Sequence, residues 1–264
     1  MNLWQVLIIQ PFVNVLLFIY THNGFSFGLA IILFTILIRL ITHPLTAQQL
    51  KGTQAMQNLQ KDKRWLDMQK KYKDDKEKLA QEQMKLYKEM GINPLGSCLP
   101  TLIQFPIIIG LYQSIIATMA STPVELLNLT KLVYPGFINI SSLIPLTNQF
   151  LWLHLNKPDV IPIPGLPPGI GLPILALIVI ATTYLQSKLM TPPSANPNDQ
   201  SAAMGKAMNL YMPFFMGYLA LTLASGLALY FVVSNLVGIA QYAILGKVDL
   251  RNLLPGGGAK AKAT

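Results

Sequence analysis

Hydropathy along the chain separates into long apolar runs and polar connecting segments. Five runs read as membrane spans, at 25–46, 94–119, 170–189, 210–224 and 227–246. Each approaches the ~20 apolar residues needed to cross a hydrocarbon core of about 30 Å. The fourth is short and flanked by Pro213 and Gly226, and Ser225–Gly226 turns the last two into a tight helical hairpin across the bilayer. Residues 1–24 are also apolar, but Gln5, Gln10, Pro11 and Asn14 interrupt them. That pattern predicts an interfacial helix, with Trp4 and Tyr20 at the level of the lipid headgroups. With neither a Lys or Arg before the apolar stretch nor a small-residue cleavage site, a signal peptide is disfavoured.

The segment 47–93 has a different texture. It is polar, almost free of β-branched residues and rich in helix formers. Asp74 followed by Glu77 reads as a capping box that starts a second helix near Asp75. That helix is expected to stop at Met90, with Gly91 in the C′ position and Pro94 just beyond. The apolar positions are thin: Met56, Leu59, Trp65, Met68 and Tyr72 on one helix, Leu79, Met84, Tyr87 and Met90 on the other. They predict a mobile, basic hairpin near the membrane surface. The plainer alternative is a solvated loop with helical content and no task.

Composition supports the membrane class. Of 264 residues 52% are hydrophobic and 12% charged, against about 25% charged in a soluble domain. The single cysteine, Cys98, excludes a disulfide framework and thiolate metal sites. Eleven Lys or Arg fall between Lys51 and Lys88, whereas the 120–169 segment has only Lys131 and Lys157. The positive-inside rule then places the 47–93 hairpin, the 190–209 loop and the 247–264 tail in the cytoplasm, with residues 1–24 and the 120–169 loop outside. The expectation is an all-α polytopic protein of the bacterial plasma membrane, with five spans, an outside N-terminus and a cytoplasmic C-terminus.

Candidate chemistry narrows the picture further. The chain contains no HExxH, no G-x-S-x-G, no P-loop and no paired acids within a span. His22, His43 and His154 have no evident catalytic partner. Neither an enzyme, a cofactor nor a metal is expected. The polar residues inside the spans carry more information. Thr35 and Arg39 share a helix face, Gln104 precedes Pro106, Thr182 and Gln186 share a face beside Thr183, and Tyr230, Ser234 and Gln241 follow one stripe with Asn235 adjacent. Interhelical hydrogen bonding explains many such residues in membrane bundles. Arg39 is harder to explain, because a charge at mid-span costs ~2.5–3.5 kcal/mol. It lies roughly 9 Å before Leu45 at 1.5 Å per residue, so snorkelling to the surface is one reading. No Asp or Glu occurs in any span. The other reading is therefore a hydrated groove whose counter-charge arrives with a ligand.

The strings "TILIRLITHPLT", "MGINPLGSCLPTLIQFPIIIGLY", "LPILALIVIATTYLQSKLM" and "MPFFMGYLALTLASGLALYFVVSNLVGIAQ" together resemble the YidC family of membrane protein insertases over nearly the whole chain. By that resemblance Arg39 falls on the groove arginine. Thr35 and Tyr230 fall on the substrate path, and Phe231 on a position often aromatic. The chain resembles the family's shorter versions in showing no large extracytoplasmic domain and no additional N-terminal anchor, and it departs from several of them in lacking the lipoprotein cysteine near the N-terminus, since Cys98 is its single cysteine. Its tail, "GGGAKAKAT", is brief, so ribosome contact through the tail or the hairpin is expected to be weak.

The resemblance implies insertion of nascent membrane proteins into lipid, alone or beside the Sec translocon, without ATP hydrolysis. The groove residues would be Arg39, Thr35, Gln104, Gln186, Tyr230, Ser234 and Gln241. Met56, Met68, Met84 and Met90 on the hairpin would offer adaptable apolar contacts to the emerging chain. The competing class is a small-anion transporter or channel, and an assembly chaperone without insertase activity is a third reading. No internal repeat favours transport.

Overall fold

The computed structural model describes residues 2–23, 26–72, 75–92, 94–120, 122–138, 146–162, 171–190 and 200–244. A π-helical turn, Gln5–Ile9, runs into α1 (Gln10–Asn23). Next come α2 (Phe27–Ile41), α3 (His43–Lys61), α4 (Lys63–Lys71), α5 (Lys76–Glu89), α6 (Pro94–Thr118) and α7 (Pro123–Leu132). Two small antiparallel hairpins follow, β1 (Gln149–Phe150) with β2 (Leu153–His154) and β3 (Ile161–Pro162) with β4 (Gly171–Leu172). The chain continues as α8 (Ile174–Met190), α9 (Gln200–Thr222) and α10 (Ser225–Ile244).

α10 is the hub. It packs against α2, α8 and α6, while α9 lies on α8, α1 on α2 and α6, and α3 on α6. The main core gathers Phe27, Ile31, Phe34, Leu111, Ile115 and Leu227, among others. Lipid removes the hydrophobic drive between helices, so close packing and interhelical hydrogen bonds must hold such a bundle.

Several boundaries differ from the hydropathy reading. The first run, expected to 46, ends as a straight helix at Ile41, and α3 departs at 57°. Pro44 lies in the first turn of α3, where its missing N–H is harmless, but it could not continue α2 straight. α9 begins at Gln200, ten residues before the fourth run, because Ala202, Ala203, Met204, Ala207 and Met208 favour helix while Ser201, Lys206 and Asn209 keep the stretch from reading as apolar. Ser225 and Gly226 open α10 rather than separating it from α9. The N-terminal helix buries Val13, Leu16 and Leu17 within the molecule. Among the described residues, Gln5–His22 and Ser225–Ile244 can cross a membrane by length and composition, with a third where bent α2–α3 counts as one span; Gln104–Thr118, Ile174–Leu189 and Leu210–Thr222 are shorter apolar helices.

The polar segment forms its hairpin from the end of α3 and α4 on one arm and α5 on the other. Asp62, extended at ψ 139°, breaks the expected first helix and caps α4 by accepting from the Arg64 N–H. The second helix is capped by Asp75, which accepts from the Lys78 N–H, so the cap lies one residue beyond the expected Asp74. Gly91 has φ +64°, and the amides of Ile92 and Gly91 close onto the carbonyls of Tyr87 and Lys88 at 2.9 and 3.2 Å. This is a Schellman ending that suits glycine. The hairpin core is small: Leu59, Trp65 and Leu86 are buried, with Met68 and Tyr87 around them. Asp74, the 191–199 stretch and the 247–264 tail lie outside the described residues.

The opposite end of the bundle is tightly covered. The Ser225 and Gly226 amides donate to the carbonyls of Lys157 and Leu155 at 2.8 and 3.0 Å. The Ser225 hydroxyl donates to the His154 carbonyl at 2.7 Å. Leu153 and Leu155 are buried in the main core, so the segment after β1 fills the end of the helix bundle. Asp159 accepts the Leu175 N–H at 2.8 Å and so ties the same segment to the start of α8.

Candidate functional site

A cavity of about 250 Å³ opens among α2, α3, α6, α8, α9 and α10, at the end of the bundle nearest the basic hairpin. Its polar wall comes from Arg39, Gln104, Gln186, Tyr230, Ser234 and Gln241, and Ile107, Ile108, Met212, Met216 and Phe231 supply apolar surface. Six of the seven expected groove residues therefore meet around one space. Thr35 does not line it. Thr35 is fully buried, and its hydroxyl donates to the Ile31 carbonyl at 2.7 Å, the i−4 bond by which a helical threonine satisfies itself.

Arg39 stands in the last turn of α2, just before the bend. Its Nε donates to the Ser234 hydroxyl at 2.9 Å, and its Nη2 donates to the same oxygen. Gln241 Nε2 donates to the Arg39 carbonyl at 3.1 Å, fixing the backbone where α2 ends. Among the described residues no carboxylate lies within ion-pair distance of Arg39; the ion pairs are Asp62–Arg64, Asp75–Lys78 and Glu82–Lys85, all on the hairpin. Among the described residues, Arg39 therefore has hydrogen-bonding neighbours but no neutralising charge.

α10 supplies the opposite wall because its polar residues recur at helical spacing. Tyr230, Ser234, Gly238 and Gln241 follow one stripe. Gln104 Nε2 donates to the Tyr230 hydroxyl, joining α6 to α10. On the adjacent face Asn235 Nδ2 donates to the hydroxyls of Thr182 and Thr183 at 3.1 and 2.8 Å, joining α8. At Gly238 a Cβ would stand 2.7 Å from Gln186 Nε2 and 3.9 Å from Arg39 Nη1. Glycine is what lets the Gln186 side chain approach the helix axis, while Arg39 stands at ordinary contact distance.

Three parts of the wall are not apparent from span hydropathy. Thr42 at the bend and Thr46 and Gln49 of α3 line the cavity, and their i, i+4, i+7 spacing is the signal that carries the polar stripe past the bend. Met212 and Met216 of α9 lie opposite, one turn apart, and Gly238 sets the width. The hairpin methionines lie outside the cavity: Met56 and Met68 are half-buried, while Met84 and Met90 are 49% and 39% exposed. No three His, Cys, Asp or Glu side chains cluster as metal ligands among the described residues.

Apolar helices around a polar, arginine-bearing cavity that is packed shut at one end define a polytopic membrane protein with a one-sided polar chamber. Within that class the chain belongs to the 60Kd inner membrane protein family, whose model matches residues 18–251. It is 33% identical over 252 residues to the membrane protein insertase MisCA of Bacillus subtilis, covering 95% of this chain and 82% of that one. It is likewise 33% identical over 235 residues to the membrane protein insertase YidC of Clostridium tetani, covering 89% and 88%. A crystal structure of active YidC insertase with its first transmembrane domain resolved superimposes with a TM-score of 0.57 at 25% identity. That match covers 91% of this chain and 46% of the crystallised one. The relatives' names denote insertases, not an enzyme class, and none of these names denotes a transporter or channel.

Proposed function

We propose that this chain inserts newly made proteins into the bacterial plasma membrane, through five spans with the N-terminus outside and the C-terminus and hairpin in the cytoplasm. The observation that carries the reading is Arg39 facing a polar cavity with no acidic residue in any predicted span. Open to the cytoplasm and to lipid, the cavity holds water within the inner leaflet. Arg39 there attracts acidic residues in the short tail of a client that must cross. Drawing the tail partway shortens the apolar barrier still ahead of it. The client's own span meanwhile partitions into lipid, and burying about twenty apolar residues at ~0.8 kcal/mol per CH₂ outweighs the transfer of a short polar tail.

The hairpin receives the emerging chain, with Met56, Met68, Met84 and Met90 as adaptable contacts. The protein acts alone or beside the Sec translocon, with weak ribosome contact through hairpin or tail. Reconstitution into proteoliposomes tests the reading. A single-span client with an acidic tail is expected to become protease-protected only in vesicles containing the protein. Anion flux without client insertion would point instead to a transporter.

A further inference from the structure

β1 and β2 are joined by two residues only, Leu151 and Trp152. Two-residue hairpin turns favour Asn-Gly or Asp-Gly, because their central residues need positive φ. Leu151 adopts φ +56°, which crowds a leucine Cβ against the backbone. Both side chains project outward, Leu151 74% and Trp152 50% exposed. In water this turn would combine backbone strain with two large apolar groups at an exposed tip.

The position of the hairpin resolves that conflict. Phe150 lies against Gly28, so closely that a Cβ there would run into its ring, and Gly28 is the second residue of α2. Leu153, on the other strand, packs in the core with Phe27 and Leu227 near the starts of α2 and α10. The tip is thus held at the level where the apolar helices begin, in a stretch, 146–156, without Asp, Glu, Lys or Arg. Further along α2, Leu33 and Leu37 are exposed at 37% and 39%, on the side that must face acyl chains. A tryptophan beside a leucine at that level suits the boundary between headgroups and acyl chains.

We propose that the Leu151–Trp152 tip is a lipid anchor, dipping into the leaflet at the end of the bundle remote from Arg39. It tethers to the bilayer the same segment whose carbonyls clasp Ser225 and Gly226. The inference rests on the chain spanning a bilayer, as the proposed function does, but its test reads lipid contact rather than insertion.

In a Trp4→Phe, Trp65→Phe chain the sole indole is Trp152. Reconstituted into phosphatidylcholine vesicles, its emission is expected to be blue-shifted. It should be quenched several-fold more by lipids brominated near the top of the acyl chain than by acrylamide, which reaches both sides of the bilayer. Efficient acrylamide quenching with none from brominated lipid would overturn the anchor in favour of a solvated tip. Quenching by neither would overturn it in favour of a protein partner. If that chain does not fold, a nitroxide attached in a Leu151→Cys, Cys98→Ser chain reads the same question. It should be more accessible to oxygen than to a water-soluble nickel complex, and the reverse order would reject the proposal.

Discussion

Ser234 holds the Arg39 guanidinium on a single hydroxyl oxygen, with Nε at 2.9 Å and Nη2 donating beside it. A guanidinium has five N–H groups, and a neutral hydroxyl cancels none of its charge. The bond aims the cation without quenching it. Arg39→Ala is expected to lower insertion of acidic-tailed single-span clients roughly tenfold or more, from the ~1.5–3 kcal/mol of a charged hydrogen bond. Arg39→Lys should keep much of the activity. Ser234→Ala keeps the charge but releases its aim, and should lower insertion by less than Arg39→Ala does. Protease protection of clients in proteoliposomes measures all three, and full activity of the alanine variant at Arg39 would remove the residue from the mechanism.

Gly238 sets the cavity's width through its approach to Gln186. The nearest atom is the end of a flexible amide, so Gly238→Ala should be accommodated with a small loss. Gly238→Leu should fill the space beside Arg39 and abolish insertion while the protein still assembles in the membrane. Client insertion compared with the protein's own membrane yield separates the two effects.

The hairpin has its own small core of Leu59, Trp65 and Leu86, apart from the main bundle. Deleting about residues 61–85 should therefore impair client insertion but leave the bundle in the membrane. Loss of the protein from the membrane fraction would make the hairpin a folding element instead.

Asp62 and Asp75 titrate below the ordinary carboxylate range, Asp62 through the Arg64 side-chain bonds and Asp75 through the Lys78 N–H. A depressed carboxyl stabilises the folded hairpin above its unfolded titration range and loses that contribution as pH falls through its own lowered value. Acidification below the ordinary carboxylate range should fray α4 and α5 at their N-termini. Far-ultraviolet circular dichroism should record a helicity loss on acidification that is smaller in an Asp62→Ala, Asp75→Ala chain, whose caps are already gone.

Ser225→Ala removes the hydroxyl bond to His154 but leaves both amide bonds of the clasp. It should lower thermal stability in detergent by about 1 kcal/mol, with insertion nearly intact. An unchanged melting temperature would show that the hydroxyl bond adds nothing to the amide pair.

The sequence reveals the polar stripe of α10 because Tyr230, Ser234 and Gln241 recur at helical spacing in an apolar setting, where each polar residue stands out. Thr35 looks the same in sequence yet turns inward, since a threonine hydroxyl can reach its own helix carbonyl as an arginine cannot. The bend at Thr42 is latent in Pro44, but hydropathy carries the apolar run past it to 46. The wall beyond the bend is hidden for a related reason: Thr42 and Thr46 close the apolar run without breaking it, and Gln49 falls in the polar stretch where polarity is no signal. The break at Asp62 is a local capping choice within a composition that is helical throughout.

The clasp at the far end of the bundle has every acceptor on the main chain: the carbonyls of His154, Leu155 and Lys157. Carbonyls are the same whatever residue bears them. The side chains at 154 and 157 are therefore free to drift by mutation without opening the end of the bundle, whereas the segment's length and path are not. An insertion or deletion of one residue between His154 and Lys157 would put their carbonyls out of step, so that they could not all meet Ser225 and Gly226, and this short loop tolerates changes of spelling but not of spacing.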